Sequence, residues 1–207
     1  MRKTKVKLTT QMLCFIGLFG ALSTVLMLFK MPLPFAPVFM KLDVAELPAI
    51  MGSFMFGPLA GFCIVVVKLA LNLLINGTDS MYVGEVSNLL LSSIYVLSAS
   101  LLYRAKKTKK RAAFSLLVGV ISTSVLALFT NTFFIFPAYA VVYGLSIDKI
   151  IGMASVVNPL VHDTFSMMLF SVLPFNLVKY GLVSIITFFA YKKLHIFIQK
   201  LLPSNAT

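Results

Sequence analysis

Charge is scarce in this chain. Only 12% of its 207 residues are charged, while 59% are hydrophobic and the mean hydropathy is +0.98. A water-soluble domain of this length needs a far more polar surface, so the composition excludes that class and leaves an integral membrane protein. Acidic residues are the scarcest: six stand against eighteen basic ones, for a net charge of +12. In a soluble protein that excess would raise nucleic-acid binding. Its distribution here points to lipid and to no nucleic acid. Cysteine is limited to Cys14 and Cys63, each inside an apolar run without a CxxC or Cys/His neighbour. That spacing argues against a disulfide and against a metal site.

Catalytic signatures are missing as well. There is no GxxxxGK followed by Ser or Thr, so the chain does not hydrolyse nucleotide through a P-loop. HExxH and GxSxG are absent. His162 and Asp163 adjoin, but no nucleophile lies at a useful spacing, and His195 belongs to a basic tail. The chain reads as a non-enzyme without a cofactor. It also lacks the inverted repeat of many secondary transporters. A small bundle with a binding pocket and no engine suggests a subunit powered by something else.

What is present is a series of apolar runs near the length of about 20 residues that a membrane helix needs. The first covers Thr9–Phe29; it exceeds a signal-peptide core and is read as a retained helix. Prolines 32, 34 and 37 forbid a regular helix after it. Further runs follow at Val44–Phe56, Leu59–Ile75, Gly84–Tyr103, Ala112–Phe136 (ended by Pro137) and Pro174–Tyr191. The stretch Ala138–Leu173 reads as amphipathic or irregular, although Phe165–Leu173 is equally compatible with a longer, kinked last helix. The expected fold is all-α: one domain over 1–207, a six-transmembrane-helix bundle with both termini cytoplasmic.

Charge supports that topology. With the N-terminus inside, the inner segments hold Arg2, Lys3, Lys5, Lys7, the 104–111 loop, Lys192, Lys193 and Lys200. The outer segments hold Lys30, Lys41 and Lys149, and every acid lies at or beyond an outer helix end. This is a strong positive-inside asymmetry.

Polar residues inside the apolar runs gather in one leaflet at a rise of about 1.5 Å per residue. They are Lys68 and Asn72 in the third run, Glu85 and Asn88 at the start of the fourth, Asn131 late in the fifth, and Asn176 and Lys179 early in the sixth, with Asp43 opening the second. A membrane-embedded lysine costs roughly 3 kcal/mol on insertion scales, so a one-sided cluster implies a solute pocket. Structural roles stay open for each member. Lys68 can bridge to Glu85, the asparagines can bond between helices, Lys179 can snorkel, and Asp43 with Glu46 matches a capping box. Asn131 lies among Phe129, Phe133, Phe134 and Phe136, a setting suited to a flat heteroaromatic ligand. Gly17 and Ala21, four apart, form a small-residue face for close helix approach, within the bundle or against another subunit.

These residues carry a resemblance. Gly17 with Ala21, the Lys30–Phe35 stretch KMPLPF, Leu42-Asp43 through Pro48, the Phe56–Gly61 stretch FGPLAG, Lys68 with Asn72, Glu85 with Asn88, Asn131 with Pro137 and Tyr139, and the Pro174–Lys179 stretch PFNLVK together resemble the S components of energy-coupling-factor vitamin transporters, most closely the riboflavin-specific kind. The resemblance implies a six-helix fold with an outer pocket and a lid, loop 30–43, that closes it with Leu33 and Phe35. It implies riboflavin as transported ligand, held by Asn131, Asn176, Lys179, Asp43, Leu42, Lys68, Asn72, Glu85 and Asn88. It also implies docking through Gly17 and Ala21 to a membrane coupling subunit, which works with two ATPases. One alternative is an S component for another small molecule or for flavin nucleotides, the latter drawn by Lys30 and Lys41; a membrane protein without a small-molecule site is the other.

Overall fold

The computed structural model describes residues 9–37, 40–78 and 80–201, with side chains described as far as residue 190. Arg2, Lys3, Lys5, Lys7 and Asp79 lie outside the described residues, as do the side chains of Lys192, Lys193, His195 and Lys200.

Five helical segments are long and apolar enough to cross a bilayer: Thr10–Leu28, Pro58–Asn76, Val83–Ala105, Lys109–Tyr143 and Thr164–Ala190. The first three are α1, α3 and α4. Between α1 and α3 lies α2, Glu46–Phe56. Its eleven residues reach about 16 Å at 1.5 Å each, short of a 30 Å hydrocarbon core. The run expected to span from Val44 is therefore a short helix packed inside the bundle, with Ala49 and Ile50 fully buried.

The α2–α3 junction explains FGPLAG residue by residue. Gly57 takes φ +98°, which an L side chain resists, and reverses the chain. Pro58 opens α3, where its missing N–H costs nothing. A Cβ at Gly61 would run into Ser53 and Val96, so this glycine sets how closely α2, α3 and α4 pack.

The two long segments near the C-terminus share one device. The fifth consists of α5 (Lys109–Thr130), a π-helical turn (Asn131–Ile135) and α6 (Phe136–Tyr143). The last consists of α8 (Thr164–Met167), a second π turn (Met168–Val172) and α9 (Leu173–Leu201), with α7 (Ile147–Val157) between. Each π turn ends two residues before a proline. Phe136 N–H reaches back five residues to the Asn131 carbonyl, and Leu173 N–H to that of Met168. The wider turn absorbs the proline without ending the helix. Pro137 thus does not stop the fifth segment, and Ala138–Leu173 is largely helical. The longer, kinked last helix is the arrangement found.

Two short strands, β1 (Met31–Pro32) and β2 (Lys41–Leu42), pair antiparallel, Met31 opposite Leu42. The proline-rich loop is thus a small hairpin on an otherwise helical protein. Much of the helix surface is apolar and outward, with Leu18, Phe133 and Leu74 at 61%, 65% and 82% exposure. Such a surface requires lipid.

Candidate substrate site and its ion-pair floor

The helix ends that carry polar residues meet at one end of the bundle. A cavity of about 380 Å³ opens there, lined by Lys30, Lys41, Asp43, Glu85, Asn88 and Lys179 among others. A smaller one of about 120 Å³ continues beside it, with Asn131, Asn176 and Phe175 in its wall. Asn88, Lys179, Lys41 and Tyr139 border both. The larger volume suits a small organic ligand. Residues 104–111 lie at the opposite end of α4, whose 23 residues extend about 34 Å.

Asn131 and Asn176 are placed alike. Asn131 begins the first π turn and donates its amide Nδ2 to the Ala127 carbonyl at 2.7 Å; Asn176 follows the second and donates to Val172 at 2.8 Å. Each side chain is thereby clamped against its own helix. Both are buried in the wall of the smaller cavity. Each amide keeps its oxygen as an acceptor and a second Nδ2–H as a donor, so the pair offers both at fixed positions.

Three of the four aromatic neighbours of Asn131 in sequence point away from the site, and the fourth, Phe136, is buried in the core. Phe129, Phe133 and Phe134 are 57%, 65% and 68% exposed and face outward. Residues two apart on a helix point to nearly opposite sides. Tyr139 and Tyr143 take the aromatic role instead, with ring centroids 5.8 Å apart and both in the larger cavity's wall. The π turn adds a residue to its turn, which keeps Tyr139 on the face of Asn131.

Beneath the cavities lies a buried ionic cluster. Lys179 Nζ is 3.1 Å from Asp43 Oδ2 and 3.6 Å from Glu46 Oε1. Lys68 Nζ is 3.0 Å from the same Glu46 oxygen and donates to Asn88 Oδ1 at 2.9 Å and Ser92 Oγ at 3.4 Å. Ser92 Oγ also donates to Glu46 Oε1 at 2.7 Å. Two ammonium groups thus face two carboxylates, all on buried residues. Charges taken out of water are tolerated only when paired and hydrogen-bonded in this way.

Several sequence expectations are relocated. Lys68 bridges to Glu46 and not to Glu85. Lys68 and Asn72 lie behind the cavity wall, where Asn72 accepts a hydrogen bond from Asn76 Nδ2 at 2.9 Å. Glu85 lines the larger cavity and pins the preceding turn, accepting from Ser80 Oγ at 2.6 Å and Thr78 Oγ1 at 3.1 Å. That turn needs holding, because Met81 and Tyr82 both take positive φ. Asp43 does not form a capping box with Glu46: its Oδ1 accepts from Ala45 N–H, and Glu46 turns inward. Lys179 is buried and paired, and does not snorkel. Leu42, Leu33 and Phe35 pack with Ala36 and Phe175 in a separate apolar cluster that seats the hairpin. Asp163 caps α8, and the Ser166 hydroxyl and N–H hold its carboxyl below the usual range.

Two residues stand out that the sequence reading missed. Glu46 passed for a cap because it follows Asp43 by three. Asn158, in a loop, donates to the carbonyls of Phe170 at 3.0 Å and Phe35 at 3.4 Å. Phe170 lacks its ordinary helical donor, since residue 174 is proline. Ser171 Oγ donates to the same Phe35 carbonyl at 3.2 Å, so the second kink holds the hairpin loop.

Fold and site together define a helical membrane protein with a small-molecule pocket under a tethered hairpin. The chain belongs to the family of substrate-specific components of energy-coupling-factor transporters, whose sequence profile matches residues 11–191. This is a transport family and not an enzyme family. Over 186 residues the chain is 28% identical to the riboflavin transporter RibU of Staphylococcus aureus, covering 90% of this chain and 91% of that one. It is 31% identical over 125 residues to the riboflavin transporter FmnP of Bacillus subtilis, covering 60% of this chain and 66% of that one. The solved structure of the S component of a bacterial energy-coupling-factor transporter superimposes with a TM-score of 0.71 at 26% identity, over 91% of this chain and 98% of that one.

Proposed function

We propose that this protein is the riboflavin-binding subunit of an energy-coupling-factor transporter, capturing the vitamin outside the cell for uptake driven by other subunits. The observation that carries this reading is the convergence of Asn131, Asn176 and Lys179 on the smaller cavity. Two amides, each with a free oxygen and a second N–H, and one ammonium donor face a slot that opens into larger space. The pyrimidine edge of a flavin offers a donor N–H between two carbonyl acceptors; one amide oxygen accepts from that N–H, and the Lys179 ammonium and an amide N–H donate to the carbonyls. The ribityl chain extends into the larger cavity, where Asp43, Glu85 and Asn88 offer polar partners. Tyr139, which lines both cavities, borders the flavin ring, and Tyr143 lies beyond it in the larger cavity.

The pocket end faces outward and the basic end, Arg104–Arg111, faces the cytoplasm with both termini. The five long segments and α2 make up the six-helix unit, a single domain. Hairpin 30–43 is the lid. Gly17, where an added Cβ would meet nothing within 4 Å, and Ala21 lie on an exposed face of α1 and dock the membrane coupling subunit, which carries two ATPases. Gly20, by contrast, packs against Val67 inside the bundle.

Titration calorimetry with riboflavin tests the reading: saturable tight binding supports it, and tight binding of a different vitamin with none of riboflavin refutes the substrate. Lys30 and Lys41 in the larger cavity favour a second ligand, a flavin phosphate. Displacement of riboflavin by flavin mononucleotide distinguishes the two.

A further inference from the structure

We infer that Glu46 is a positioning residue for Lys179, and that it acts through charge parity with Lys68. The inference rests on the riboflavin reading above, because it concerns how the site's one buried ligand-facing cation is held.

Three features of the cluster lead there. First, a single oxygen, Glu46 Oε1, meets Lys68 Nζ at 3.0 Å, Lys179 Nζ at 3.6 Å and the Ser92 hydroxyl at 2.7 Å. It is the shared point between Lys179, on the cavity wall, and Lys68, behind it. Second, the other acid, Asp43, directly follows strand β2 of the hairpin, whereas Glu46 belongs to a helix in the bundle. Glu46 is therefore the carboxylate that the helix bundle itself fixes beside Lys179, whereas Asp43 is placed by the end of the hairpin. Third, Glu46 Oε2 is buried and accepts no hydrogen bond among the described residues. Glu46 thus holds the cluster through one oxygen alone.

The count follows from desolvation. With the hairpin closed, two acids balance two lysines. Removing the Glu46 charge leaves Lys68 and Lys179 to compete for Asp43, and Lys179 is drawn from its place or left unpaired. An uncompensated buried charge is among the costliest defects a core can carry. If parity is what Glu46 supplies, removing a lysine as well restores it: Asp43 and Lys179 then form a balanced pair. A residue that merely fills space behaves oppositely, because a second change beside it adds damage.

The test measures riboflavin affinity by fluorescence quenching in the purified full-length protein for the wild type, E46Q, K68M and the double variant E46Q/K68M. E46Q weakens binding by tenfold or more. K68M, with one lysine against two acids, also weakens it. The double variant binds within about threefold of the wild type, the range of a balanced pair with altered packing. If E46Q does not fold, the same rescue reads as recovery of folded, flavin-binding protein in the double variant. A double variant no better than E46Q, or E46Q equal to the wild type, overturns the inference while the riboflavin reading stands. A wild type that binds no riboflavin removes the riboflavin reading, and the role for Glu46 falls with it.

Discussion

Replacing Asn158 by leucine is expected to speed the escape of bound riboflavin. The Phe35 carbonyl in the hairpin loop accepts from Asn158 Nδ2 at 3.4 Å and from Ser171 Oγ at 3.2 Å. Both bonds break when the loop lifts. A neutral hydrogen bond contributes a net ~0.5–1.5 kcal/mol, and both of these are longer than the usual distances, which keeps them out of the upper half of that range. Taking about 1 kcal/mol each, Asn158→Leu speeds release roughly fivefold, and the double change with Ser171→Ala roughly thirtyfold. Leucine keeps a similar volume in the buried site. It also strips the Phe170 carbonyl of the donor that stands in for the missing Pro174 N–H, so a lower melting temperature accompanies the change. Release is read by stopped flow, following flavin fluorescence as bound vitamin is chased. Ser155→Ala is the control, because Ser155 is half-buried and, among the described residues, its hydroxyl bonds only to the Gly152 carbonyl of its own helix. Release from the double variant within twofold of the wild type would refute the tether, whatever the affinity does.

Other outcomes follow from the same geometry. Asn131→Ala and Asn176→Ala each lower riboflavin affinity by about tenfold, through loss of one buried acceptor worth ~1.5 kcal/mol, measured by calorimetry. Gly17→Leu leaves riboflavin binding by the isolated subunit unchanged but abolishes uptake in cells carrying the coupling subunits. Gly20→Val, where the new Cβ meets Val67, lowers the melting temperature of the isolated subunit instead. Glu85→Ala frees Ser80 and Thr78, releases the strained turn at Met81-Tyr82, and shows as faster amide exchange at residues 80–84.

The membrane class, most of the spans and the end of the bundle that holds the pocket were legible in the sequence. They depend on sums over many residues: about 20 apolar positions for a span, and a one-sided distribution of ionisable groups. Asn131, Asn176, Lys179, Asp43, Glu85 and Asn88 were found this way because a polar residue in an apolar run is conspicuous. Glu46 was not conspicuous. Three residues beyond Asp43 it fits a local capping pattern, and only the path of the hairpin shows that it points inward to Lys68. Asn158 gave no signal at all, since an asparagine before a proline in a loop is ordinary.

What the sequence determined by itself was therefore set by solvent. An apolar surface demands lipid, and a buried charge demands a partner. Tertiary structure decided which partner. The sequence offered Glu85 as the partner of Lys68, and the inward turn of α2 supplied Glu46 instead. Pro137 promised a helix end and Pro174 a helix start, yet each follows a π turn inside a continuous segment, because a helix in lipid conserves its backbone hydrogen bonds by widening before it breaks. Those two widened turns aim Asn131 and Asn176 at one cavity. That register depends on a single extra residue per turn, a detail that helical periodicity averages away and a packed structure retains.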